Sequence, residues 1–462
     1  MPLEIFNPAN PSEVVGTYAI TEINQIDEIV MRARVAQKIW AQIPQPVRGE
    51  MIAGFVDKIE ARMHDVAKSI TLEMGKPLSE SIGECRKALG EARMTLARSA
   101  APIGDVFPSQ LPNTITYSTR RPRGVILGIS PYNFPFSTPM RKAIPALLYG
   151  NSIVLKPASI APGAVAMMAK IAAETLPPDV LQIVIGEGGL GQSLSENSGI
   201  DGVSFTGSVE TGKKVAKAAV GHLAEVSLEL GGKNPVILHD SSDLDVALDQ
   251  ITQATFSVSG QRCTAISRVI VNREIYATVL EGLVKRAREL VPMDGLSEGS
   301  KLGPLSSQKQ LENVESFVRR AVTAGAQVVA GGSRFSTDTN GWFFSPTILT
   351  AVTRDMEVAR EEIFGPVLAI IIYDKFDDAL SIANDVTFGL SSCLYSETSQ
   401  IIEKFLAESE SGMLHVNASS FPENHMPFVG IKDSGLGVGG SNGPSTIQFY
   451  TCEHAVYRRG VA

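Results

Sequence analysis

The chain has 462 residues, of which 44% are hydrophobic and 19% charged, and its formal net charge is −8. This length and ordinary globular composition predict two or three domains and exclude wholesale disorder. The basic residues are scattered and outnumbered by acidic ones, so we expect no nucleic-acid partner.

Sequence patterns exclude several other classes. There is no run of about 18 uncharged apolar residues, so no membrane association is expected. The opening stretch MPLEIFNPANPSEV lacks the pattern of a secretory signal. Cys85, Cys263, Cys393 and Cys452 form no CxxC pair or disulfide pattern, which favours a reducing, cytoplasmic location. With six histidines and no HExxH motif, no metal site is expected.

The predicted elements begin with helices. Apolar residues at helical spacing over 24–40 and 49–70 predict that the first hundred residues are helical. Short β-branched runs then alternate with Ala-rich stretches over 124–232, and a second alternation of the same kind follows Cys263. Apolar strands alternating with helices predict parallel sheets covered on both faces. The sequence therefore predicts an α/β protein with two doubly wound domains and a cleft between them.

Two segments depart from that scheme. NTITYSTRRP (113–122) and part of TIQFYTCEHAVY (446–457) alternate apolar and polar residues like exposed antiparallel strands. Although they are far apart in sequence, they could pair into a small flap whose edge invites another subunit. A lone surface ribbon is the alternative, although an isolated two-stranded ribbon is only marginally stable.

Two reactive side chains stand in unusual surroundings. Cys263 lies beside Arg262 in the small, polar stretch SGQRCTA (259–265), where the positive charge would favour a thiolate. The alternative is a helix N-terminus whose cysteine faces the core. Glu229 interrupts the apolar strand VSLELGG. Its carboxylate is either desolvated and suited to general-base catalysis, or turned outward at the strand end.

Polar residues also follow the other predicted strands. Asn133 in SPYNFP could donate its amide to an oxyanion or simply cap a turn. Lys156 could bind ribose hydroxyls or phosphate, or be a solvated charge. Gly207 and Ser208 lie between a strand and a helix, where a phosphate could bind. The spacing from Gly207 to Gly212 is not the GxGxxG fingerprint, so this turn alone is a weak signal.

Seven motifs occur in order over nearly the whole chain: PYNFP, LKPAS, FTGS, LELGGK, GQRC, EEIFGP and PFVGIKDSG. Together they resemble the NAD(P)-dependent aldehyde dehydrogenases, and the 34 positions from Glu229 to Cys263 also match that family. The resemblance implies an aldehyde-dehydrogenase-like fold with a Rossmann-like cofactor domain. It further implies a homodimer or homotetramer. The domain limits that it implies are 1–110 and 123–230 for the cofactor domain, 231–440 for the catalytic domain, and 111–122 and 441–460 for the oligomerisation flap.

The resemblance also implies roles for the catalytic residues. Cys263 would attack the aldehyde carbonyl to give a thiohemiacetal and then a thioester. The Asn133 amide and the Cys263 backbone N–H would stabilise the oxyanion, and Glu229 would activate the water that hydrolyses the thioester.

The resemblance places the cofactor along the first domain. Lys156 and Glu362 would hold its riboses, Gly207 and Ser208 would lie near the pyrophosphate, and Phe364 would pack by the nicotinamide. The other expected cofactor contacts are Ser130, Pro131, Tyr132, Ser159 and Leu230.

Cofactor choice is predicted from one position. NAD-preferring members often carry Glu three residues after the lysine, where this chain has Ser159. We therefore expect NADP to be preferred, with NAD possible. The chain departs from common family members at Tyr132, where Trp is usual, and at Val429, where Gly is usual and where a bulkier side chain could alter the pocket.

The substrate is predicted only as a class. PYNFPFSTPMRKAIPAL resembles succinate-semialdehyde dehydrogenases, with Arg141 where they hold the substrate carboxylate, but their second arginine is replaced by Ser257. GQRCTA, with Arg262, instead resembles non-phosphorylating glyceraldehyde-3-phosphate dehydrogenases. Both point to a short aldehyde with an anionic tail, succinate semialdehyde first. Either arginine could instead be structural, paired with a local carboxylate.

Three other readings stay open. The substrate could be glyceraldehyde 3-phosphate or a sulfonated or hydroxy three-carbon aldehyde, or the enzyme could accept a broad range of aldehydes. A catalytically silent binding or structural relative would keep the fold but is expected to lack Cys263, Glu229 or Asn133, and all three are present.

Overall fold

The computed structural model describes residues 2–241, 243–437 and 441–460. The strands are β1 Leu3–Asn7, β2 Asn10–Tyr18, β3 Val106–Phe107, β4 Thr114–Pro122, β5 Val125–Ile129, β6 Ser152–Lys156, β7 Leu181–Ile183, β8 Gly202–Thr206, β9 Glu225–Glu229, β10 Asn234–Leu238, β11 Ile266–Asn272, β12 Gln327–Ala330, β13 Thr347–Thr350, β14 Val367–Tyr373, β15 Phe388–Gly389, β16 Ser391–Tyr395, β17 Met413–Val416, β18 Ile431–Lys432, β19 Gly435–Gly437 and β20 Thr451–Arg459.

The α-helices are α1 Ile26–Trp40, α2 Gln45–Ala61, α3 Met63–Met74, α4 Leu78–Leu96, α5 Ser137–Leu148, α6 Gly163–Thr175, α7 Gly188–Glu196, α8 Val209–Val220, α9 Leu244–Phe256, α10 Tyr276–Glu289, α11 Gln308–Thr323, α12 Glu357–Arg360, α13 Phe376–Asn384, α14 Ser399–Glu408 and α15 Thr446–Tyr450. Short 3-10 turns cover Ile23–Gln25 and Ser257–Gly260. Within the described part of the chain, no helix is long and apolar enough to cross a membrane.

The first large sheet has the order β19-β9-β8-β5-β6-β7 and is parallel except for β19. Successive residues of a strand point to opposite faces, and here each face carries helices. On β5, Val125 and Leu127 pack in one core with residues of α1 and α8, whereas Ile126 packs in another with residues of α2 to α6. Burial on both faces explains why the run VILGI is continuously apolar.

The second large sheet has the order β12-β13-β14-β11-β10-β16-β17 and is parallel except for β12. It is built in the same way, because Val269 and Val271 pack in one core and Ile270 in another on the opposite face. The chain passes from the first sheet to the second directly between β9 and β10. The prediction of two doubly wound α/β units is confirmed.

The antiparallel flap is also confirmed. Strand β20 pairs with β4 over nine residues, and β3 adds a third strand to the sheet. The sequence predicts that part of 446–457 is extended, and the structure shows which part: its first residues form the short helix α15, and the strand begins at Thr451.

Two predictions about the N-terminal region are wrong in detail. Residues 3–18 are not helical but form the hairpin β1–β2, whose alternation is too short to identify in the sequence. The single helix expected over 49–70 is two helices, because the backbone leaves the helical conformation at Arg62. The domain limits at 110, 122, 230 and 440 stay predictions.

Candidate active site

Four predicted site segments lie at one edge of the first sheet. Strands β5, β6, β8 and β9 run parallel, so their carboxyl ends meet at the same edge. Asn133 follows β5, Lys156 ends β6, Gly207 and Ser208 follow β8, and Glu229 ends β9. This edge is where ligands bind in open α/β sheets.

The loop that carries Cys263 has an unusual backbone. Val258, Ser259 and Gly260 all have positive φ, at 57°, 55° and 68°, a conformation that costs energy for residues other than glycine. A Cβ on Gly260 would lie 2.1 Å from the carbonyl oxygen of Gly365, so only glycine permits this approach. The Cys263 loop is therefore held against the loop that carries Glu362 and Phe364.

Asn133 lies against the Cys263 loop. Its side-chain Nδ2 donates to the carbonyl oxygen of Gln261 at 2.6 Å. Its own carbonyl accepts from Nζ of Lys76 at 2.9 Å, and Lys76 forms a fully buried ion pair with Glu84. The other oxygen of Glu84 accepts from the first backbone N–H groups of α5 at 2.9 and 2.8 Å. One ion pair thus fixes the whole turn that presents the Asn133 amide.

Glu229 is buried, with a neighbouring ammonium. Burial raises the pKa of its carboxyl to about 8, against the opposing charges of Lys142 and Arg141. The Ser441 backbone N–H hydrogen-bonds the carboxylate, but Oε2 has no partner among the described residues. Nζ of Lys142 donates to the hydroxyls of Ser204 and Thr206 on β8, each at 2.9 Å. A desolvated carboxyl near neutrality is suited to general-base catalysis.

The thiol of Cys263 is close to several charged groups. Burial raises its pKa to about 11, and the carboxylates of Glu362 and Glu229 contribute in the same direction. Arg262 and Arg141 lower the pKa, as the sequence predicted for Arg262. The sum of these effects nevertheless favours the protonated thiol, because desolvation outweighs the adjacent positive charge.

Unused donors surround the predicted phosphate and ribose sites. Lys156 is buried, yet its Nζ contact is a long one, 3.4 Å to the carbonyl of Pro157. The Ser130 hydroxyl is buried without a partner among the described residues. Ser208 caps α8 through a 3.4 Å contact to the Thr211 N–H, so the helix N-terminus is only weakly satisfied. A cofactor carrying phosphates and hydroxyls fits these donors.

The predicted nicotinamide end is lined by a carboxylate and two rings. Glu362 accepts from the Gly232 N–H at 3.2 Å, and burial raises its pKa to about 7. The rings of Phe364 and Tyr132 meet edge to face with centroids 5.9 Å apart. Pro131 precedes Tyr132 in the loop after β5, Leu230 packs under α8, and Ser159 is half-buried in the turn after β6.

The two predicted substrate arginines differ in their partners. Arg141 donates through Nε and Nη2 to both carboxylate oxygens of Glu91, at 3.0 and 2.7 Å. Arg262 donates through Nη2 to Thr264 and Ser420, whereas its buried Nη1 has no partner within the described chain. Arg141 is therefore a paired charge, and Arg262 has a donor left for a ligand.

The sequence did not identify Lys76, Glu84 or Lys142 as site residues. Lys142 had a signal, because it interrupts the mostly apolar helical stretch MRKAIPALL, and α5 buries it at 2% exposure. No comparable sequence signal identifies Lys76 or Glu84, since charged residues eight positions apart are common. Only the fold shows that both are buried against the Asn133 turn.

Comparison with known proteins identifies the family. The aldehyde dehydrogenase family profile matches residues 1–456. The chain is 37% identical to the alpha-ketoglutaric semialdehyde dehydrogenase of Bacillus subtilis over 94% of this chain and 90% of that protein. It is 33% identical to the mitochondrial succinate-semialdehyde dehydrogenase of Arabidopsis thaliana over 95% of this chain and 83% of that protein.

The fold matches solved structures over nearly its full length. The structure of 3,6-anhydro-L-galactose dehydrogenase in complex with NAP superposes with a TM-score of 0.96 at 31% identity, covering 99% of this chain and 96% of that one. The chain belongs to the aldehyde dehydrogenase family and is an NAD(P)-dependent enzyme that oxidises aldehydes to carboxylic acids.

Proposed function

We propose that this enzyme oxidises a short aldehyde with an anionic tail, with succinate semialdehyde as the leading substrate, and that it prefers NADP to NAD. The observation that carries the substrate class is Arg262, a buried guanidinium next to Cys263 whose Nη1 has no partner among the described residues. Two relatives named above act on semialdehydes of carboxylic acids, which supports an anionic tail. A three-carbon phosphorylated, sulfonated or hydroxylated aldehyde is the alternative.

The proposed chemistry uses three side chains directly. The Cys263 thiol loses its proton to water, and its sulfur forms a bond to the aldehyde carbon as the carbonyl π bond opens. The Asn133 amide and the Cys263 backbone N–H donate to the oxygen that becomes negative. When bound, the nicotinamide cofactor takes up the hydrogen and two electrons of the aldehyde carbon. The carbon then remains on Cys263 as a thioester. Glu229 accepts a proton from the water that cleaves this thioester and releases the acid.

The cofactor residues have separate roles. Lys156 and Glu362 would hold ribose hydroxyls, and Gly207, Ser208 and the N-terminus of α8 would face the pyrophosphate. The remaining predicted contacts are Ser130, Pro131, Tyr132, Ser159, Leu230 and Phe364. Ser130 and Leu230 are buried, and the other four are half-buried.

A panel of substrates with each cofactor tests the proposal. We expect kcat/KM with NADP to be highest for succinate semialdehyde or alpha-ketoglutaric semialdehyde. It should be at least about tenfold lower for butanal, which lacks the charge. Equal or higher efficiency with butanal or hexanal would indicate a broad-range enzyme. The highest efficiency with glyceraldehyde 3-phosphate would shift the proposal to the three-carbon alternative. Preference for NAD with every aldehyde would contradict the proposed cofactor choice.

Arg141→Ala tests the first substrate arginine. We expect the transition-state stabilisation measured by kcat/KM for succinate semialdehyde to fall by about 2 kcal/mol or more. The substitution removes a cation and leaves the Glu91 carboxylate uncompensated. Butanal should be affected much less. Glu91→Gln is the matched control, since it breaks the same ion pair but keeps the guanidinium. Equal losses for both substrates in both variants would show that Arg141 is structural.

Ser159→Glu tests cofactor choice. A carboxylate at this half-buried turn would lie near the adenosine 2′-phosphate of NADP and repel it. We expect kcat/KM for NADP to fall by about tenfold or more while NAD is favoured. Ser159→Ala, which adds no charge, should leave the ratio almost unchanged. An unchanged NADP/NAD ratio in the glutamate variant would place the adenosine ribose elsewhere.

We also propose that the flap joins subunits into a homodimer or homotetramer and that the enzyme is cytoplasmic. Val106, Phe107, Ile115 and Tyr457 are exposed apolar residues on the flap, with Val106 and Tyr457 each 79% exposed. Such an edge favours pairing with another chain. Light scattering during size-exclusion chromatography measures the assembly directly. The sparse cysteines support a reducing compartment.

A further inference from the structure

A second cation lies beside Arg262, on helix α4. Lys87 is half-buried, and its pKa is lowered to about 8 chiefly by burial. The groups that affect this pKa through their charges are Glu91, Arg141, Arg262 and Cys263, so Lys87 lies within electrostatic reach of the nucleophile. It has no part in the chemistry derived above, and no sequence motif identifies it.

Lys87 and Arg262 contact the same short segment of chain. Nζ of Lys87 donates to the carbonyl of Pro422 at 3.1 Å, and Nη2 of Arg262 donates to the carbonyl of Ser420 at 3.3 Å. The guanidinium also lies 4.1 Å from the ring centroid of Phe421, between these two carbonyls in sequence. The three consecutive residues therefore hold both cations in place.

Neither cation has a carboxylate partner in the part of the chain that the structure describes. Among the described residues, no carboxylate oxygen lies within 4.0 Å of Lys87 or Arg262. The carboxylates that act on these cations through their charge are Glu91 on Lys87 and Glu80 on Arg262, and both are engaged elsewhere. Glu91 accepts from two nitrogens of Arg141, and Glu80 accepts the Val258 N–H at 3.0 Å. Cations held this way without an anion are unfavourable unless a ligand supplies the charge.

The donors that remain free can serve one anion. An ammonium has three N–H donors, of which the Pro422 carbonyl takes one. Nη1 of Arg262 is buried without a partner among the described residues. A neighbouring cavity along the same segment is lined by Phe421, Pro422, Glu423 and residues of α4 and includes neither cation. The anion subsite therefore rests on the donors of Lys87 and Arg262 alone.

We propose that Lys87 and Arg262 together form the subsite that binds the anionic tail of the substrate, with Lys87 as a specificity-determining residue. This inference rests on the proposed function, because it requires a substrate with a negative tail. Arg262 is fixed by stacking and supplies a planar donor, whereas Lys87 supplies a point charge from the facing helix. A carboxylate between them would accept hydrogen bonds from both and offset one of the two positive charges.

Three substitutions at Lys87 separate its charge from its hydrogen bond to Pro422. Lys87→Met removes both, Lys87→Gln removes the charge but keeps an N–H donor, and Lys87→Arg keeps the charge. We expect kcat/KM for succinate semialdehyde to fall about tenfold or more in Lys87→Met and Lys87→Gln, mainly through KM, because a charged hydrogen bond is lost. Lys87→Arg should retain most of the efficiency.

Butanal and a neighbouring residue provide the controls. Butanal has the same four-carbon chain without the carboxylate, so its kcat/KM should change less than about twofold in every Lys87 variant. Arg86→Gln removes an exposed cation one residue away on the same helix and should leave both substrates unchanged. Melting temperature and NADP affinity, measured on each variant, identify any loss of folding.

The outcomes distinguish this inference from the proposed function. If the wild type prefers succinate semialdehyde to butanal and Lys87→Gln leaves that ratio unchanged, the Lys87 subsite is wrong and the proposed function stands. If Lys87→Met lowers both substrates equally and Lys87→Gln restores them, Lys87 only holds the Pro422 segment. If the wild type shows no preference for any anionic aldehyde, the proposed function and this subsite are both wrong.

Discussion

Cys263→Ala is expected to abolish aldehyde oxidation, with kcat falling by at least about a thousandfold, because no other group can form the bond to the aldehyde carbon. Cofactor affinity should change little, since the proposed ribose and phosphate contacts come from other residues. Steady-state NADPH formation and fluorescence titration of NADPH measure the two quantities. Cys452→Ala, which removes a half-buried thiol in β20, is the matched control and should remain active.

Alkylation of the wild type is a second test of Cys263 as the nucleophile. Iodoacetamide should inactivate the enzyme by labelling Cys263, because Cys85 and Cys393 are fully buried and Cys452 lies on the flap. The thiolate is the reacting form and the pKa of Cys263 is raised to about 11, so labelling should accelerate from about pH 7 to about pH 10. Inactivation that follows labelling of another cysteine would contradict the assignment.

Glu229→Gln is expected to slow steady-state turnover by about 10²- to 10⁴-fold while leaving the first turnover largely intact. The reason is that only thioester hydrolysis requires an activated water. A stopped-flow experiment should therefore show a rapid burst of NADPH followed by a slow phase. If burst and steady state fall together, Glu229 acts on the thiol of Cys263 rather than on the water.

The pH dependence of hydrolysis should follow the Glu229 carboxyl. A general base works in its deprotonated form, and burial raises the pKa of this group to about 8. In the wild type, the rate of hydrolysis should therefore rise as the pH increases through about 8 and level off above it. The slow phase of Glu229→Gln should lack this rise, since an amide does not titrate in that range. A rise retained in the variant would assign it to another group.

Much of the fold could be predicted because its strands are buried on both faces. The apolar run VILGI and the β-branched run within SRVIVN favour strands of a covered sheet, and they lie where the structure has β5 and β11. Strand β10 was missed, because it follows β9 without a helix between them, and the sequence does not show that the two belong to different sheets. The β1–β2 hairpin was missed because its alternation is short.

The site residues that end or follow strands could be predicted from the sequence, whereas the residues that pack against them from elsewhere could not. Asn133, Lys156 and Glu229 stand directly after apolar runs, where chain order alone suggests a common edge. Lys76 lies between α3 and α4, and Lys87 lies on α4, both far in sequence from these motifs. Only packing brings them to the Asn133 turn and the Ser420–Pro422 segment. The raised pKa of the Cys263 thiol could not be predicted from the sequence either, because desolvation depends on the completed fold.

The covalent intermediate is the most direct test of the account. Glu229→Gln is mixed with succinate semialdehyde and NADP, quenched in acid during the slow phase and digested for mass spectrometry. The account predicts that the peptide containing Cys263 carries one succinyl group, and that Cys263→Ala carries none. An unmodified Cys263 peptide after a full burst of NADPH, or a succinyl group on another residue, would contradict it.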